Sequence, residues 1–439
     1  MTKLLAVVAA ALVTALLWGS IAGAQPEGRR SASRTTAIGA DWYAALPADP
    51  VAATKIYLDR VPAEVRVRGD AYMDGRYVVL AGRLATLLVA VALIMTTGAA
   101  ARMRSLAGRA SRRPWLQDAL FAVFLLGVLF VLNLPIETYA RYVRPRQAGF
   151  AQRGYAGWLG EEVLGWAVSA VFTVVGIVLI MALIRRRPRS WAGWATVVYL
   201  ALASLFILIS PQYIEPLFNT ITPLADGPEK RAILSLARAN GVPADDVYVA
   251  DASRQSKILN AHVSGFAGSA RIVLDDNTIA TTPKPEFELV MAHELGHYVL
   301  AHVAKSIVFN TVLAGVGFLF VGWLAHRLIA RYGHRWQVES LGDAAAMPLF
   351  WGAFLLWGFL SLPISNSLTR EQEVEADIFG INASQQPSGL AEFMIRDSDA
   401  TRLEPSPLEE AIFYDHPSVR SRITTAMRWR AEHLPGSNR

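Results

Sequence analysis

The 439-residue chain is 53% hydrophobic and only 18% charged, which is too apolar for an ordinary soluble protein and indicates a multi-pass membrane protein. It contains no cysteine, so disulfides, thiolate metal ligands and cysteine nucleophiles are excluded, and any metal site must use histidines and carboxylates. The net charge of +6 would suit nucleic acid, but the arginines cluster beside apolar segments without an aromatic-interleaved basic face, so no nucleic-acid partner is expected.

The N-terminal region joins an apolar run to a polar segment. Residues 4–21 are apolar and end at Ala22-Gly23-Ala24, a sequence typical of a signal-peptidase site. The run is also nearly long enough to cross a bilayer. Residues 1–24 are therefore predicted to be either a signal peptide or a retained first membrane helix, and both place the N-terminus inside. Residues 25–76 are polar and interrupted by prolines, and are predicted to form an extracytoplasmic segment.

Four apolar stretches follow, each close to the length that a bilayer requires. They cover residues 77–100, 115–136, 163–184 and 191–210, and predict a four-helix membrane block over residues 77–210. Arg83, Asp118 and Asn133 lie within or at the ends of these spans. Such groups face either a protein interior or the membrane interface, and the sequence leaves both open.

Residues 211–305 have the composition of a soluble domain, with a helix predicted over 232–237 and strands over 246–249 and 270–274. The sequence His293-Glu294-Leu295-Gly296-His297 then lies in a predicted helix, so both imidazoles leave one face one turn apart. This spacing suits two ligands of one zinc ion. Glu294 follows the first histidine, where a general base for hydrolysis has to lie.

The third ligand has to come from elsewhere. The metzincin pattern fails because positions 300 and 303 are Leu300 and Val303, and His302, one residue out of step, is predicted not to be a ligand. Residues 306–330 and 344–365 are two further predicted spans, a transmembrane hairpin. After it, residues 366–439 hold Glu373 and, one turn later, Asp377, which suit a His₂Glu zinc site with an Asp behind a ligand. The alternative is a solvated acidic helix face.

Several motifs occur in an order that resembles the integral-membrane zinc endopeptidases of the CAAX prenyl protease type I family, including its bacterial relatives. The resemblance is strong over residues 210–425, and only hydropathic before that. It rests on YIEPLFN at 213–219, NA at 260–261, RIVLD at 271–275, HELGH at 293–297, ExxAD at 373–377 and HP at 416–417. It implies one zinc ion held by His293, His297 and Glu373, with Glu294 as the catalytic base.

Further roles come from the resemblance alone. It implies that His416 binds substrate or stabilises the oxyanion, that Arg422 supports the site, and that Asn260 and Ala261 begin a strand that pairs with extended substrate. Without the resemblance, a histidine beside a proline is more often structural, and the strand that begins at Asn260 would be interpreted as an ordinary sheet edge.

The predicted fold is thus mostly α: about seven membrane spans and an α+β gluzincin zinc-protease domain that the hairpin splits in sequence. The predicted function is hydrolysis of a peptide or protein substrate at the bilayer, either CAAX-type C-terminal processing of lipidated substrates or quality control of membrane proteins. Two alternatives remain: a zinc transporter with intramembrane ligands, and an inactive zinc-binding scaffold. The HExxH motif follows a segment with the composition of a soluble domain, which disfavours a transporter with intramembrane ligands. Glu294 is present, and a purely structural zinc site does not need that base.

The distribution of arginines among the connections predicts how the protein is oriented in the membrane. The connections at residues 102–113, 185–189 and 326–335 are rich in arginine, and all three fall on the cytoplasmic side if seven spans alternate from an inside N-terminus. The zinc domain would then face outward across a bacterial cytoplasmic membrane. The four arginines of residues 141–153 oppose this assignment, as do eukaryotic members of the resembling family, which are thought to face the cytosol.

Overall fold

The computed structural model describes residues 40–264, 270–396 and 398–434. The predicted signal peptide or first helix, residues 1–24, lies outside the described residues. The remainder is mostly helical, with one four-stranded sheet. The helices are α1 (Ala40–Ala44), α2 (Pro50–Asp59), α3 (Ala63–Thr96), α4 (Ala99–Ala110), α5 (Pro114–Glu137), α6 (Arg144–Gln147), α7 (Tyr155–Arg186), α8 (Trp191–Ile209), α9 (Pro228–Ala239), α10 (Asp276–Thr281), α11 (Lys284–Val299), α12 (His302–Trp336), α13 (Met347–Ser384), α14 (Pro387–Arg396), α15 (Pro407–Phe413) and α16 (Val419–His433). The strands are β1 (Ile221–Pro223), β2 (Ala244–Ala250), β3 (Ala261–Ser264) and β4 (Ala270–Asp275).

Six helical segments within the described residues are long and apolar enough to cross a membrane. They contain α3, α5, α7, α8, α12 and α13, so each of the four-helix block and hairpin spans predicted from hydropathy has a helix. Several helices run past the apolar stretch that predicted them. The helix α3 begins 14 residues before the predicted span at residue 77, because its polar first half packs on the C-terminal part of the chain, where Arg402 pairs with Asp70 and Asp74.

The membrane bundle also holds two arginine–carboxylate ion pairs. Asp118, 1% exposed, accepts two hydrogen bonds from Arg185 at 2.6 and 2.7 Å. Near the other end of the bundle, Arg83 pairs with Glu137 at 2.6 Å. The Arg185 side chain is 34% exposed, and its bidentate geometry satisfies the buried Asp118 carboxylate. The sequence left open whether Asp118 faces the protein interior or the membrane interface. In the structure its side chain lies in the protein interior.

The segment predicted to be extracytoplasmic, residues 25–76, contributes α1, α2 and the start of α3. Within the described part, α1 and α2 pack on α14 and α16 in a hydrophobic core that includes Tyr57, which is fully buried. The Arg430 guanidinium donates to the main-chain carbonyls of Tyr43, Leu46 and Pro47. Arg60 donates to both carboxylate oxygens of Glu392, at 2.5 and 3.0 Å. These helices therefore form part of the same core as the C-terminal helices.

The sheet has the strand order β1-β2-β4-β3. The central pair, β2 and β4, is parallel, while β1 and β3 lie antiparallel at the two edges. Three consecutive residues of β4 (Ile272, Val273 and Leu274) are fully buried, so both faces of this strand are covered. Helices α9 and α11 pack on the sheet. The edge strand β3 packs on α11, the HExxH helix, through the face that carries Ala261 and Val263.

A single helix carries both the last span and the ExxAD motif. The helix α13 runs through Pro363 without a break and continues to Ser384, although the sequence predicted that the span ends near residue 365. It crosses α11 at two glycines. A Cβ on Gly380 would lie 3.1 Å from the main-chain nitrogen of His293, and one on Gly296 would lie 2.9 Å from Phe379. The glycines allow the backbones to approach closely enough for α13 side chains to reach α11.

Candidate active site

Three side chains from α11 and α13 form a cluster of metal-ligand type. The Nε2 atoms of His293 and His297 lie 3.1 Å apart. The Glu373 carboxylate lies 3.4 Å from the first of these nitrogens and 3.5 Å from the second. One ligand atom from each residue lies within 4.8 Å of the others. The helical spacing predicted for the two imidazoles is present, and Glu373 is the carboxylate on α13 that faces them.

A second layer of charge lies behind the first histidine. Nδ1 of His293 is 3.0 Å from the Asp377 carboxylate, and Arg422 of α16 donates to both oxygens of that carboxylate, at 2.8 and 2.5 Å. Asp377 is 2% exposed. Because the carboxylate faces Nδ1, it fixes the ring so that Nε2 points into the cluster. The structure therefore brings Asp377 and Arg422, 45 residues apart in sequence, to the same place.

Glu294 and His416 line the cavity in front of the cluster. The cavity has a volume of about 400 Å³ and is also lined by Asn260, Ala261 and Arg422. Nε2 of His416 lies 3.4 Å from the Glu373 carboxylate, and its Nδ1 lies 3.1 Å from Asp415. All nine residues that the sequence singled out for the site thus lie in or directly behind one cavity.

The charges of the cluster favour a cation at its centre. Burial opposes protonation of His293, but the Asp377 and Glu373 carboxylates outweigh it and raise the pKa of His293 to about 10. Burial and the neighbouring His293 lower the pKa of His297 to about 4. These shifts favour one positively charged imidazolium and one neutral imidazole in the pair, and a metal ion at the two Nε2 atoms would replace that positive charge.

The surroundings raise the pKa of both groups that face the cavity. Burial raises the pKa of Glu294. Burial opposes protonation of His416, yet the Asp415 and Glu373 carboxylates outweigh it and raise the pKa of His416. A carboxylate whose pKa is raised is a stronger base, and a protonated imidazole is a hydrogen-bond donor.

Asn260 and Ala261 lie where β3 begins. The main chain of Asn260 is fixed on both sides: its N–H donates to the Thr278 hydroxyl, and its carbonyl accepts from that hydroxyl and from the N–H of Asp275. Ala261 then pairs with Leu274 in the sheet. Within the described residues β3 pairs only with β4, and Asn260 and Ala261 at its start line the cavity. An extended peptide adds to a sheet along such an unpaired edge.

One neighbour of the cluster was not anticipated. Nδ1 of His302 lies 2.8 Å from Nδ1 of His297, and the other His302 nitrogen lies 2.9 Å from the Glu375 carboxylate. The chain reaches this position through Ala301, which takes the left-handed conformation (φ 55°) between α11 and α12. No sequence signal marks an alanine for such a turn, so the pattern of α11 alone does not place His302 beside His297.

Two further cavities link the site to the membrane bundle. An apolar cavity of about 650 Å³ lies among α7, α8, α12 and α13. A second, of about 410 Å³, is lined by His297 and His302 and shares Tyr199, Ala203 and Ile207 with the first. A series of spaces lined by common residues thus extends from the histidine cluster into the apolar interior of the bundle.

Comparisons with known proteins cover most of the chain. The model for peptidase family M48 matches residues 223–430, and the model described as CAAX prenyl protease N-terminal, five membrane helices, matches residues 79–220. The Bacillus subtilis (strain 168) protein named uncharacterized metalloprotease YhfN is 27% identical over 325 residues, 72% of this chain and 76% of that protein. CAAX prenyl protease 1 of Saccharomyces cerevisiae is 24% identical over 326 residues, 70% and 71% of the two chains.

The fold also has a counterpart among solved structures. The crystal structure of S. mikatae Ste24p superposes with a TM-score of 0.66 at 20% sequence identity, over 96% of this chain and 98% of that one. The predicted architecture, a multi-pass helical membrane protein with an α+β protease domain, is confirmed.

Proposed function

The chain belongs to peptidase family M48 and is a multi-pass membrane metalloprotease, and from this premise we propose that it cleaves peptide bonds with one zinc ion held by His293, His297 and Glu373. The observation that carries the proposal is the convergence of the two Nε2 atoms and one carboxylate within 4.8 Å. Two imidazoles and a carboxylate are a donor set typical of catalytic zinc, which keeps a further position open. Membership in a peptidase family disfavours the transporter alternative.

When bound, zinc would lower the pKa of a water molecule and polarise the scissile carbonyl. The chain supplies the proton transfers. Glu294, with its raised pKa, accepts a proton from the attacking water and delivers it to the leaving amine. Nδ1 of His416 is held by Asp415, which leaves its Nε2 to donate to the oxygen that becomes negative.

Substrate binding is proposed along β3. Its free edge would pair with the main chain of an extended peptide and carry the scissile bond across the cavity that Glu294 lines. Asn260 and Ala261 fix the start of that edge, while Arg422 holds Asp377 and through it His293.

The substrate class is proposed from the relatives and from the cavities. Several relatives are named as CAAX prenyl proteases, and the apolar space that continues from the histidine cluster suits a lipidated or otherwise apolar substrate segment. We therefore propose C-terminal processing of lipidated or membrane-associated peptides, with quality control of membrane proteins as the second candidate. The protein would lie in a bacterial cytoplasmic membrane.

The test is an assay of the purified full-length protein in detergent on an unstructured fluorogenic peptide, with and without a lipid group. Cleavage should stop on treatment with a chelator and return with zinc. Faster cleavage of the lipidated peptide would favour the processing role, and equal rates the quality-control role. A protein that contains zinc at one per chain but cleaves neither peptide would overturn the proposed function.

A further inference from the structure

His302 is buried beside one of the proposed ligands. It is 3% exposed, and both ring nitrogens have partners: Nδ1 lies 2.8 Å from Nδ1 of His297, and Nε2 lies 2.9 Å from an oxygen of Glu375. The same Glu375 oxygen accepts from Lys305 at 2.9 Å. These contacts form a chain from the cluster to the protein surface, which we call the His302 chain (His297, His302, Glu375 and Lys305).

Only one arrangement of protons gives each member of the His302 chain a hydrogen-bond partner and leaves His297 able to bind a metal. A ligand nitrogen must present its lone pair, so Nε2 of His297 carries no proton and Nδ1 carries the one that remains. That Nδ1–H then donates to Nδ1 of His302, which must accept. The proton of His302 therefore lies on Nε2 and is donated to Glu375, which is an acceptor only.

We propose that His302 is a positioning residue that holds His297 in the tautomer and orientation needed for metal binding, with Glu375 fixing His302 in turn. The inference rests on the proposed metal set. It gives each histidine ligand a separate support: His293 is held by Asp377 and Arg422, and His297 by a neutral imidazole. Loss of such an outer partner typically weakens metal affinity about 10- to 100-fold.

Packing alone would not require a histidine here. The cavity of about 410 Å³ that His302 lines is mostly apolar, although Ser306 and Asn310 also border it. An apolar side chain of similar size would fill the position without the acceptor. A substitution that keeps an acceptor at the place of Nδ1 therefore separates the proposed role from a merely structural one.

The experiment measures zinc affinity of the full-length protein in detergent by competition with a chromophoric chelator. His302→Leu removes the acceptor, and we expect affinity to fall about 10- to 100-fold. In His302→Asn the amide oxygen can take the place of Nδ1, so we expect affinity to return to within a few-fold of the parent chain. The zinc affinity of Glu375→Gln should lie between those of His302→Leu and His302→Asn. Glu371→Gln, on the exposed face of the same helix, is the matched control and should match the parent.

Thermal unfolding in excess chelator reports whether each variant folds without zinc, and the Leu and Asn variants should then unfold at the same temperature. Equal affinity in the parent and in His302→Leu would overturn the role of His302, as would an equal loss in His302→Leu and His302→Asn. If the parent chain binds no zinc, or if Glu373→Gln binds as tightly as the parent, the proposed metal set fails instead.

Discussion

Glu294 and Glu373 are carboxylates of one cavity with different surroundings. Glu373 lies within 3.5 Å of three imidazoles, those of His293, His297 and His416. Among the described residues Glu294 makes no ion pair within 4 Å, and burial raises its pKa. The first environment stabilises a carboxylate that stays charged as a ligand, and the second favours one that gains and loses a proton.

The first prediction separates the general base from the ligands. Glu294→Gln should keep its zinc and lose peptidase activity by about 10²- to 10⁴-fold, because the amide cannot accept the proton of the attacking water. Turnover on the reporter peptide and zinc content by mass spectrometry are measured on the same preparation. Near-normal turnover with unchanged zinc would remove Glu294 from the mechanism.

The second prediction concerns the choice among the acidic residues of α13. Glu373→Ala should lose most of the bound zinc, because Glu373 is the carboxylate within 3.5 Å of both histidine nitrogens. Glu371→Ala should keep it, since residue 371 lies on the exposed face. Zinc content is measured for both variants after gel filtration. Loss of zinc from Glu371→Ala but not from Glu373→Ala would assign the third ligand to Glu371.

Among elements, the crossing of α11 and α13 decides whether the cluster forms. A third prediction follows from the close approach at Gly380. Gly380→Val should separate the helices, lower stability by about 1–3 kcal/mol and weaken zinc binding, because the added methyl groups meet the backbone of His293. Gly358→Val on the same helix, where no atom lies within 4 Å of the added Cβ, is the matched control for intrinsic helix propensity. Equal stability and zinc affinity in the two variants would refute the packing argument.

The attachment of α1 and α2 to the C-terminal helices gives a fourth prediction. Arg430→Ala should destabilise the protein by roughly 2–5 kcal/mol, because the carbonyls of Tyr43, Leu46 and Pro47 lose a shared donor. Arg428→Ala, on the exposed face of the same helix, should change stability little. Unfolding is followed by tryptophan fluorescence, since Trp42 lies against this core. Similar midpoints for the two variants would show that the N-terminal helices are held in another way.

Across the whole molecule, the three arginine-rich connections meet at one end of the bundle. Arg104 donates to the main-chain carbonyl of Gln337, and Arg185 to that of Gly342. The helix α12 begins at His302 beside the histidine cluster and ends at Trp336 near these arginines, a length of about 50 Å at 1.5 Å per residue. The basic end and the zinc cluster therefore lie at opposite ends of a membrane-spanning helix.

The fifth prediction is the orientation that this separation implies. With the basic end in the cytoplasm, the zinc domain faces outward. Glu229→Cys and Arg187→Cys, both at exposed positions of a cysteine-free chain, are treated on intact cells with a membrane-impermeant thiol reagent. Position 229 should be labelled and position 187 only after lysis. Labelling of 187 but not 229 on intact cells would reverse the orientation.

Much of this architecture follows from the sequence because its determinants are local. Hydropathy over a span depends on neighbouring residues alone, so the helices of the block and hairpin were predicted, although their ends were not. The family was identified from short motifs and is confirmed. The spacing of His293 and His297 is one helical turn, which the helix geometry itself converts into a shared face.

Other features depend on contacts between distant segments, and only the tertiary structure decided them. The pairing of Asp377 with Arg422, the packing of residues 40–59 on α16, and the position of His302 after the left-handed turn at Ala301 leave no periodic trace in the sequence. A local pattern fixes which face of a helix is apolar or carries ligands. It does not fix which helix packs against that face, because this depends on shape complementarity and on buried polar groups finding partners across the whole chain.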